Sequence, residues 1–228
     1  MAGPVLCEAT PFVDAGPAFT SYQPHHIDGF RLGRERRLAR LLAGLIAADP
    51  FLLDALACVR RLGLPDAWIG AGAVRRLVWD RFAGNDRPTP LDDVDVLYFD
   101  PGDMSRGAEA TARRRLALWR PAVPWSVKNQ ARMNRRKGQP AYRDTADAMR
   151  FWLETPTCVA ARLDATGRVL VLAPFGLADL FDGRLRPTPA GRRASAVYHA
   201  RVERKGWLRQ WPHLRADDRR VDATTASQ

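Results

Sequence analysis

Apolar residues follow two rhythms along this chain. Between Gly33 and Ala48, Leu38, Leu41, Leu42, Leu45 and Ile46 recur at i, i+3, i+4, i+7 and i+8, the stripe of an amphipathic helix. Asp49-Pro50 reads as an N-cap followed by proline at the first helical position. A second helix is predicted from there to about Leu62, with Leu52, Leu53, Leu56 and Val59 inward and Gly63 as its stop. Ala67-Trp68-Ile69 is a short apolar segment ending in Gly70-Ala71-Gly72, and the spacing of Val74, Leu77, Val78 and Phe82 predicts a helix over Ala73–Phe82. After the Gly- and Pro-rich loop 84–90 the period changes to two. Val94, Val96 and Tyr98 face one way, while Asp93, Asp95, Leu97 and Phe99 face the other.

Downstream, Ser105 is placed to cap a helix reaching Trp119, Val123–Val127 reads as a short strand, and residues 129–143 are irregular and basic. A helix is predicted from Asp144 to Leu153, with Met149, Trp152 and Leu153 inward. Thr157–Leu163 and Arg168–Leu172, joined by the turn Asp164–Gly167, read as a β-hairpin. A short helix over Leu177–Phe181 and a final helix over Ala194–Gln210 follow, with fraying expected from Arg215. Residues 1–30 carry Pro, Gly and Ala without sustained periodicity and read as an extended arm. The resulting organisation is one domain over 31–214, its core at about 65–190, with a polar tail at 215–228. Mixed elements, an adjacent hairpin and an N-terminal helical pair predict an α+β fold with a mixed β-sheet flanked by helices.

Composition narrows the function classes. With 46% apolar residues in 228, the chain is not mainly disordered and can bury a real core. The longest apolar run, Leu41–Ala48, is too short to cross a bilayer, which needs about 20 residues. No Lys or Arg precedes Arg31, which argues against a secretory signal. The three cysteines, Cys7, Cys58 and Cys158, lie far apart; so sparse a set argues against a disulfide framework or zinc site and predicts a reducing compartment, by default the cytoplasm. No membrane partner is expected.

The formal charge of +11 is carried almost entirely by arginine, since only Lys128, Lys137 and Lys205 are lysines. Arg-rich, Ala-rich composition is as readily a bias of the genome as a sign of nucleic acid. The distribution is more informative. Residues 80–100 hold six acids and two arginines, net −4, and residues 101–140 hold ten basic residues and two acids, net +8. An acidic stretch followed directly by a basic one suits a site for metal ions and phosphates.

The candidate chemistry lies between Trp68 and Asp100. A strand ends at Gly70-Ala71-Gly72 and a helix begins, so backbone N–H groups at the turn and helix N-terminus offer an anion seat. Arg75 stands in the first helical turn. Asp93 and Asp95 then project from one strand face with Cα atoms about 6.5 Å apart, twice the strand rise. Two carboxylates so placed suit divalent cations of the kind that assist phosphoryl displacement. Lys128 and Asn129 are candidate contacts to a triphosphate. Arg113–Arg115 read better as a solvated helix face, and Trp68, Trp79, Trp119, Trp125 and Trp152 better as core than as base-stacking platforms. His25-His26 could be a metal pair, but adjacent residues do not share a face.

This arrangement resembles the DNA polymerase β-like nucleotidyltransferase superfamily, whose signature is a glycine turn followed by an Asp-x-Asp strand. Gly70-Ala71-Gly72-Ala73-Val74-Arg75 is similar to the G-G-x-V-R segment of CCA-adding tRNA nucleotidyltransferases. From about Asp49 to Pro187 the strings G-A-V-R-R-L-V-W-D, D-D-V-D-V-L-Y-F-D, W-S-V-K-N-Q-A-R-M-N, F-W-L-E-T-P-T and A-P-F-G-L-A-D-L-F resemble a bacterial nucleotidyltransferase-like family of unassigned function. The resemblance implies a polymerase β-like fold with Asp93 and Asp95 as ligands of Mg²⁺, with room for a two-ion site. It also implies nucleotide contacts from Gly70, Gly72, Arg75, Lys128 and Asn129, and transfer of a nucleoside monophosphate from a triphosphate, foremost ATP, to an unidentified hydroxyl with loss of pyrophosphate. The chain departs from the pattern twice. Alanine interrupts the glycine turn, and the third carboxylate has no clear position: Ser126 occupies the natural place, with Glu154 and Asp164 as substitutes. The alternative implied by those departures is a catalytically weakened protein of the same fold that binds nucleotide or nucleic acid.

Overall fold

The computed structural model describes residues 29–134 and 140–217. The expected N-terminal arm and His25-His26 therefore lie outside the described residues, apart from Gly29 and Phe30, which belong to the first helix. That helix, α1 (Gly29–Ala47), meets α2 (Pro50–Leu62) at a bend of 94°. The Asp49 side chain accepts a hydrogen bond from Leu52 N at 2.7 Å, and Gly63, at φ 69°, ends α2 in the left-handed conformation. Among the described residues, no single helix is long and apolar enough to cross a membrane.

The remaining helices of ten residues or more are α3 (Gly72–Ala83), α4 (Arg106–Trp119) and α9 (Ser195–Lys205); short turns α5 (Gln130–Met133), α6 (Thr145–Met149), α7 (Ala178–Phe181), α8 (Pro189–Arg193) and α10 (Trp207–Gln210) complete the set described. The strands are β1 (Trp68–Gly70), β2 (Val94–Tyr98), β3 (Trp125–Asn129), β4 (Ala160–Leu163), β5 (Val169–Leu172), β6 (Arg184–Leu185) and β7 (Arg215–Ala216).

Among the described residues one five-stranded sheet runs in the order β3-β2-β1-β4-β5. β2 and β3 are parallel and the other neighbours antiparallel, so the expected mixed sheet is present. The period-two alternation of β2 divides its side chains as anticipated. Val94, Val96 and Tyr98 join the main core with residues of α1 to α4. Leu97 joins a smaller cluster on the opposite face with Trp68, Met149, Cys158, Ala160, Leu170 and Leu172. That second face is apolar where α6 covers it and polar at its other end.

Several boundaries differ from the sequence expectation, each for a physical reason. α3 is buried on nearly every side: Arg75, Arg76, Trp79 and Asp80 are buried with Val74 and Val78, while Phe82 is exposed. Residues 130–133, expected to be irregular, form a turn of helix because Asn129 caps it, its Oδ1 accepting from Ala131 N. The helix from Asp144 stops at Met149, since Arg150 N and Trp152 N bond three residues back and the chain tightens out of α geometry. Thr155–Thr157 form a 3₁₀ turn around Pro156 and delay β4 to Ala160. The C-terminal helix breaks at Gly206, φ 62°, into α9 and α10. Arg215–Ala216 do not fray; they pair in parallel with Arg184–Leu185.

Candidate functional site

A row of residues crosses the sheet at the polar end of the second face. Ala160 on β4 pairs with Gly70 on β1, Gly70 with Asp95 on β2, and Asp95 with Ser126 on β3. Every neighbour of Asp95 in that row is small, so its carboxyl group stands over open space. Ser126 hydrogen-bonds it. Burial raises the Asp95 pKa above the ordinary carboxylate range, the negative charge of Asp93 raises it further, and the Ser126 hydroxyl, Arg201 and Arg75 pull it back. Asp93, just before β2, is exposed.

The loop leading into these acids is fastened from below. Asp80 accepts from Thr89 N at 2.8 Å, Thr89 Oγ1 at 2.6 Å, Asn85 Nδ2 at 2.9 Å and Trp211 Nε1 at 2.7 Å. Arg76 donates to Thr89 O at 2.9 Å and pairs with Asp49 at 3.5 Å. Buried charges held this fully order the backbone before β2 and thereby set where Asp93 emerges.

The glycine turn does two separate jobs. A Cβ on Gly70 would lie 2.8 Å from Leu97 Cδ1, so glycine there serves close packing within the sheet and does not front a cavity. Gly72 starts α3 in more open surroundings. A Cβ there would meet nothing closer than 3.9 Å, and the residue lines the cavity beside Asp93 and Asp95. Between them Ala71 holds φ 53°, ψ −121°, a conformation that favours glycine. It has no side-chain cap to offer, so no Ala71 side chain occupies the first N–H groups of α3, and the helix begins at Gly72 on the cavity wall.

That cavity, about 390 Å³, joins Asp93 and Asp95 to Gly72, Arg75, Arg201 and Lys205. The Arg75 guanidinium lies against the rings of both Trp79 (4.6 Å) and Trp207 (4.5 Å), which meet edge to face at 5.7 Å, and it donates to Thr157 Oγ1 at 3.0 Å. Burial lowers its pKa to about 10, with Glu154 opposing the shift, so it remains a cation at neutral pH. Lys205 reaches Asp92 at 3.2 Å. Arg201 Nε lies 2.9 Å from Glu154 Oε1, but the N–H is not aligned on that oxygen, so the contact is Coulombic rather than a good hydrogen bond. Glu154 is itself buried.

The other sequence candidates lie elsewhere. Lys128 pairs with Leu97, one step beyond Ser126 on the same face of β3, and is exposed away from the cavity. Asn129 is fully buried. Its Oδ1 accepts from Asp100 N, its Nδ2 donates to Asp100 O and Asp103 O, and its backbone N–H donates to Glu109. Its side chain fastens the β2–α4 connection and has no hydrogen-bonding capacity left for a nucleotide. Asp164 is tied into the β4–β5 turn by Thr166 and Arg168. Among the described residues, no three His, Cys, Asp or Glu side chains converge on one metal position, so neither Glu154 nor Asp164 completes a carboxylate triad. Trp68, Trp79 and Trp125 are core residues, as expected.

Sequence reasoning missed Arg201, Lys205 and Trp207. Arg201 and Lys205 stand i, i+4 on α9 and share a face, a signal visible in the sequence; nothing there says that this face turns toward residues more than a hundred positions earlier.

The sequence profile described as Nucleotidyltransferase matches residues 57–216. An NMR structure described as revealing a CCA-adding enzyme head domain is 28% identical, with a TM-score of 0.69, over 77% of this chain and 94% of that one. A CCA-adding enzyme in complex with CTP, at 15% identity, shares the fold alone, with a TM-score of 0.51 over 79% of this chain and 43% of that one. No curated protein matches. The sheet and its flanking helices are those of a polymerase β-like nucleotidyltransferase head, and with the family profile spanning most of its length this chain belongs to the nucleotidyltransferase family.

Proposed function

We propose that this protein uses Mg²⁺ to transfer a nucleoside monophosphate from a nucleoside triphosphate, in the first instance ATP, to an acceptor hydroxyl, with release of pyrophosphate. The observation that carries this reading is one cavity bounded by two carboxylates flanking the start of a single strand, a helix N-terminus and the cations Arg75, Arg201 and Lys205. Acids alone would suit a metal, and cations alone a phosphate. Both together suit a metal-bound triphosphate.

The donor set fits Mg²⁺. This ion is commonly held by one or two carboxylates and completes its octahedron with water and substrate phosphate, so a protein-only cage is not needed. Asp93 and Asp95 would hold it, and their mutual repulsion would be relieved by a bound cation. A Mg²⁺ ion held there supplies charge neutralisation at the attacking and leaving oxygens. The α3 N–H groups orient phosphate oxygens. Arg75, held in the corner made by two indole rings, presents its guanidinium without further loss of freedom. Arg201 and Lys205 add two cations to the cavity wall from α9. Gly72 leaves room for the phosphate; Gly70, Lys128 and Asn129 have no contact role in this reading. The scarcity of cysteine supports a cytoplasmic setting.

The test is pyrophosphate release from ATP, CTP, GTP and UTP with Mg²⁺, using native protein and the Asp93→Asn and Asp95→Asn variants. The reading requires metal-dependent release from at least one triphosphate, reduced by about 100-fold or more in each variant. A second reading is favoured by Ser126 standing at the neighbouring-strand position and by the lack of a converging third acid among the described residues: a protein that binds nucleotide or nucleic acid without transfer. Asp-dependent nucleotide binding with no pyrophosphate from any triphosphate would select it.

A further inference from the structure

Asp95 borders two cavities. Besides the cation-lined one, a second of about 430 Å³ shares with it only Ala71, Asp95 and Arg201. Its remaining walls are different in kind. Phe151, Trp152 and Leu153 form one side, Ala190, Ala194 and Val197 the other, with Glu154 and Thr157 as its polar groups. Among the described residues no unpaired cation lines it, because the Arg201 that borders it faces the buried carboxylate of Glu154.

The stereochemistry of phosphoryl transfer divides these spaces between the substrates. Attacking and leaving oxygens lie roughly in line through phosphorus. Where the leaving pyrophosphate occupies the cation-lined cavity, the attacking hydroxyl approaches the α-phosphorus from the opposite side, past Asp95. Resting on the reading of the site given above, we propose that the second cavity is the acceptor site, and that the acceptor is a hydroxyl compound with a flat, aromatic, uncharged body. The volume is that of a small-molecule site, roughly 300–1,000 Å³. Aromatic and aliphatic walls favour an apolar body, the Arg201–Glu154 pair leaves no net positive charge to hold a phosphate, and Glu154 and Thr157 can receive a polar edge. In the reaction the acceptor oxygen forms a bond to the α-phosphorus, the bond from that phosphorus to the pyrophosphate oxygen breaks, and the hydroxyl proton leaves to solvent.

The experiment uses the whole protein loaded with Mg²⁺ and α,β-methylene-ATP, with two probes, adenosine for a ribose hydroxyl and N-acetyltyrosinamide for a phenol. Binding is read from the backbone amide resonances of Ala194 and Val197, and analogue affinity by calorimetry. Val197 is 59% exposed, so Val197→Trp narrows the cavity without disturbing the core. The proposal requires that at least one probe shifts these resonances in the loaded protein, that Val197→Trp weakens that probe at least tenfold, and that analogue affinity stays within twofold. It is overturned if neither probe binds there. It is also overturned if Val197→Trp weakens the analogue tenfold or more, since the cavity would then hold the nucleotide's own base. Failure of the underlying reading looks different: the Asp93→Asn and Asp95→Asn variants would keep full affinity for the Mg²⁺-bound analogue, whatever the probes do.

Discussion

Asp95 and Ser126 stand side by side in register on parallel strands, a carboxylate and the hydroxyl that hydrogen-bonds it. The folded protein raises the Asp95 pKa chiefly by burial and then by the Asp93 charge. The folded state therefore binds a proton at Asp95 more tightly than the unfolded chain does. Stability from this group is present at low pH and is lost as pH rises from the ordinary carboxylate range through the raised value. In metal-free protein at neutral pH, Asp95→Asn is expected to raise the melting temperature, with the gain vanishing below about pH 4. Ser126→Ala should move the acid limb of Mg²⁺ binding to higher pH, because the hydroxyl that favours the ionised form is gone. Melting curves and metal titrations against pH check both; a melting temperature for Asp95→Asn below native at pH 7 counts against the burial account.

Ala71 occupies a backbone conformation suited to glycine. Ala71→Gly removes strain of about 1–3 kcal/mol and adds unfolded-chain entropy worth roughly 0.4–1 kcal/mol. A net gain of about 1 kcal/mol is expected, seen as a melting temperature higher by roughly 2–4 °C. A lower melting temperature would show that the alanine methyl is needed where it packs.

Asn129 separates structural from ligand-binding roles on β3. Asn129→Ala releases the backbone of Asp100 and Asp103 and should destabilise the protein by about 1–3 kcal/mol through unsatisfied buried groups. Nucleotide affinity, measured below the new melting temperature, should stay within twofold of native. A tenfold loss of affinity in a variant of native stability would restore Asn129 to the nucleotide site.

Arg75→Lys keeps the charge and loses the flat guanidinium that packs against both Trp79 and Trp207. The expected result is a fall in stability of about 1–2 kcal/mol together with a rise in the KM for nucleotide of tenfold or more. Urea denaturation and steady-state kinetics read the two effects separately; an unchanged KM would make Arg75 purely a packing residue.

Much of this architecture was legible beforehand because it depends on local patterning. The proline and capping residue at α2, the serine cap of α4, the turn at 164–167 and the alternation along β2 are each written within a few residues. The pairing of Asp93 with Asp95, and its distance from the glycine turn, were equally local. Other positions depend on partners far along the chain. Asn129 sat within a basic polar string and read as a ligand contact, yet its partners are backbone groups 26 and 29 residues away. Gly70 reads as a phosphate glycine, yet a Cβ there would stand 2.8 Å from Leu97 Cδ1 on the next strand, a close approach within the sheet.

The helical pair, the strand bearing two acids, the mixed α+β class and the glycine turn that opens a helix are all written in the sequence, since capping, turn chemistry and periodicity act between near neighbours. Tertiary packing alone brings α9 back to set Arg201 and Lys205 beside Asp93 and Asp95, places Arg75 against two tryptophans, and opens a second, apolar cavity at Asp95. Those contacts join segments far apart along the chain, and their energies depend on burial and on which face of each helix meets the sheet, quantities that come into being when the core closes.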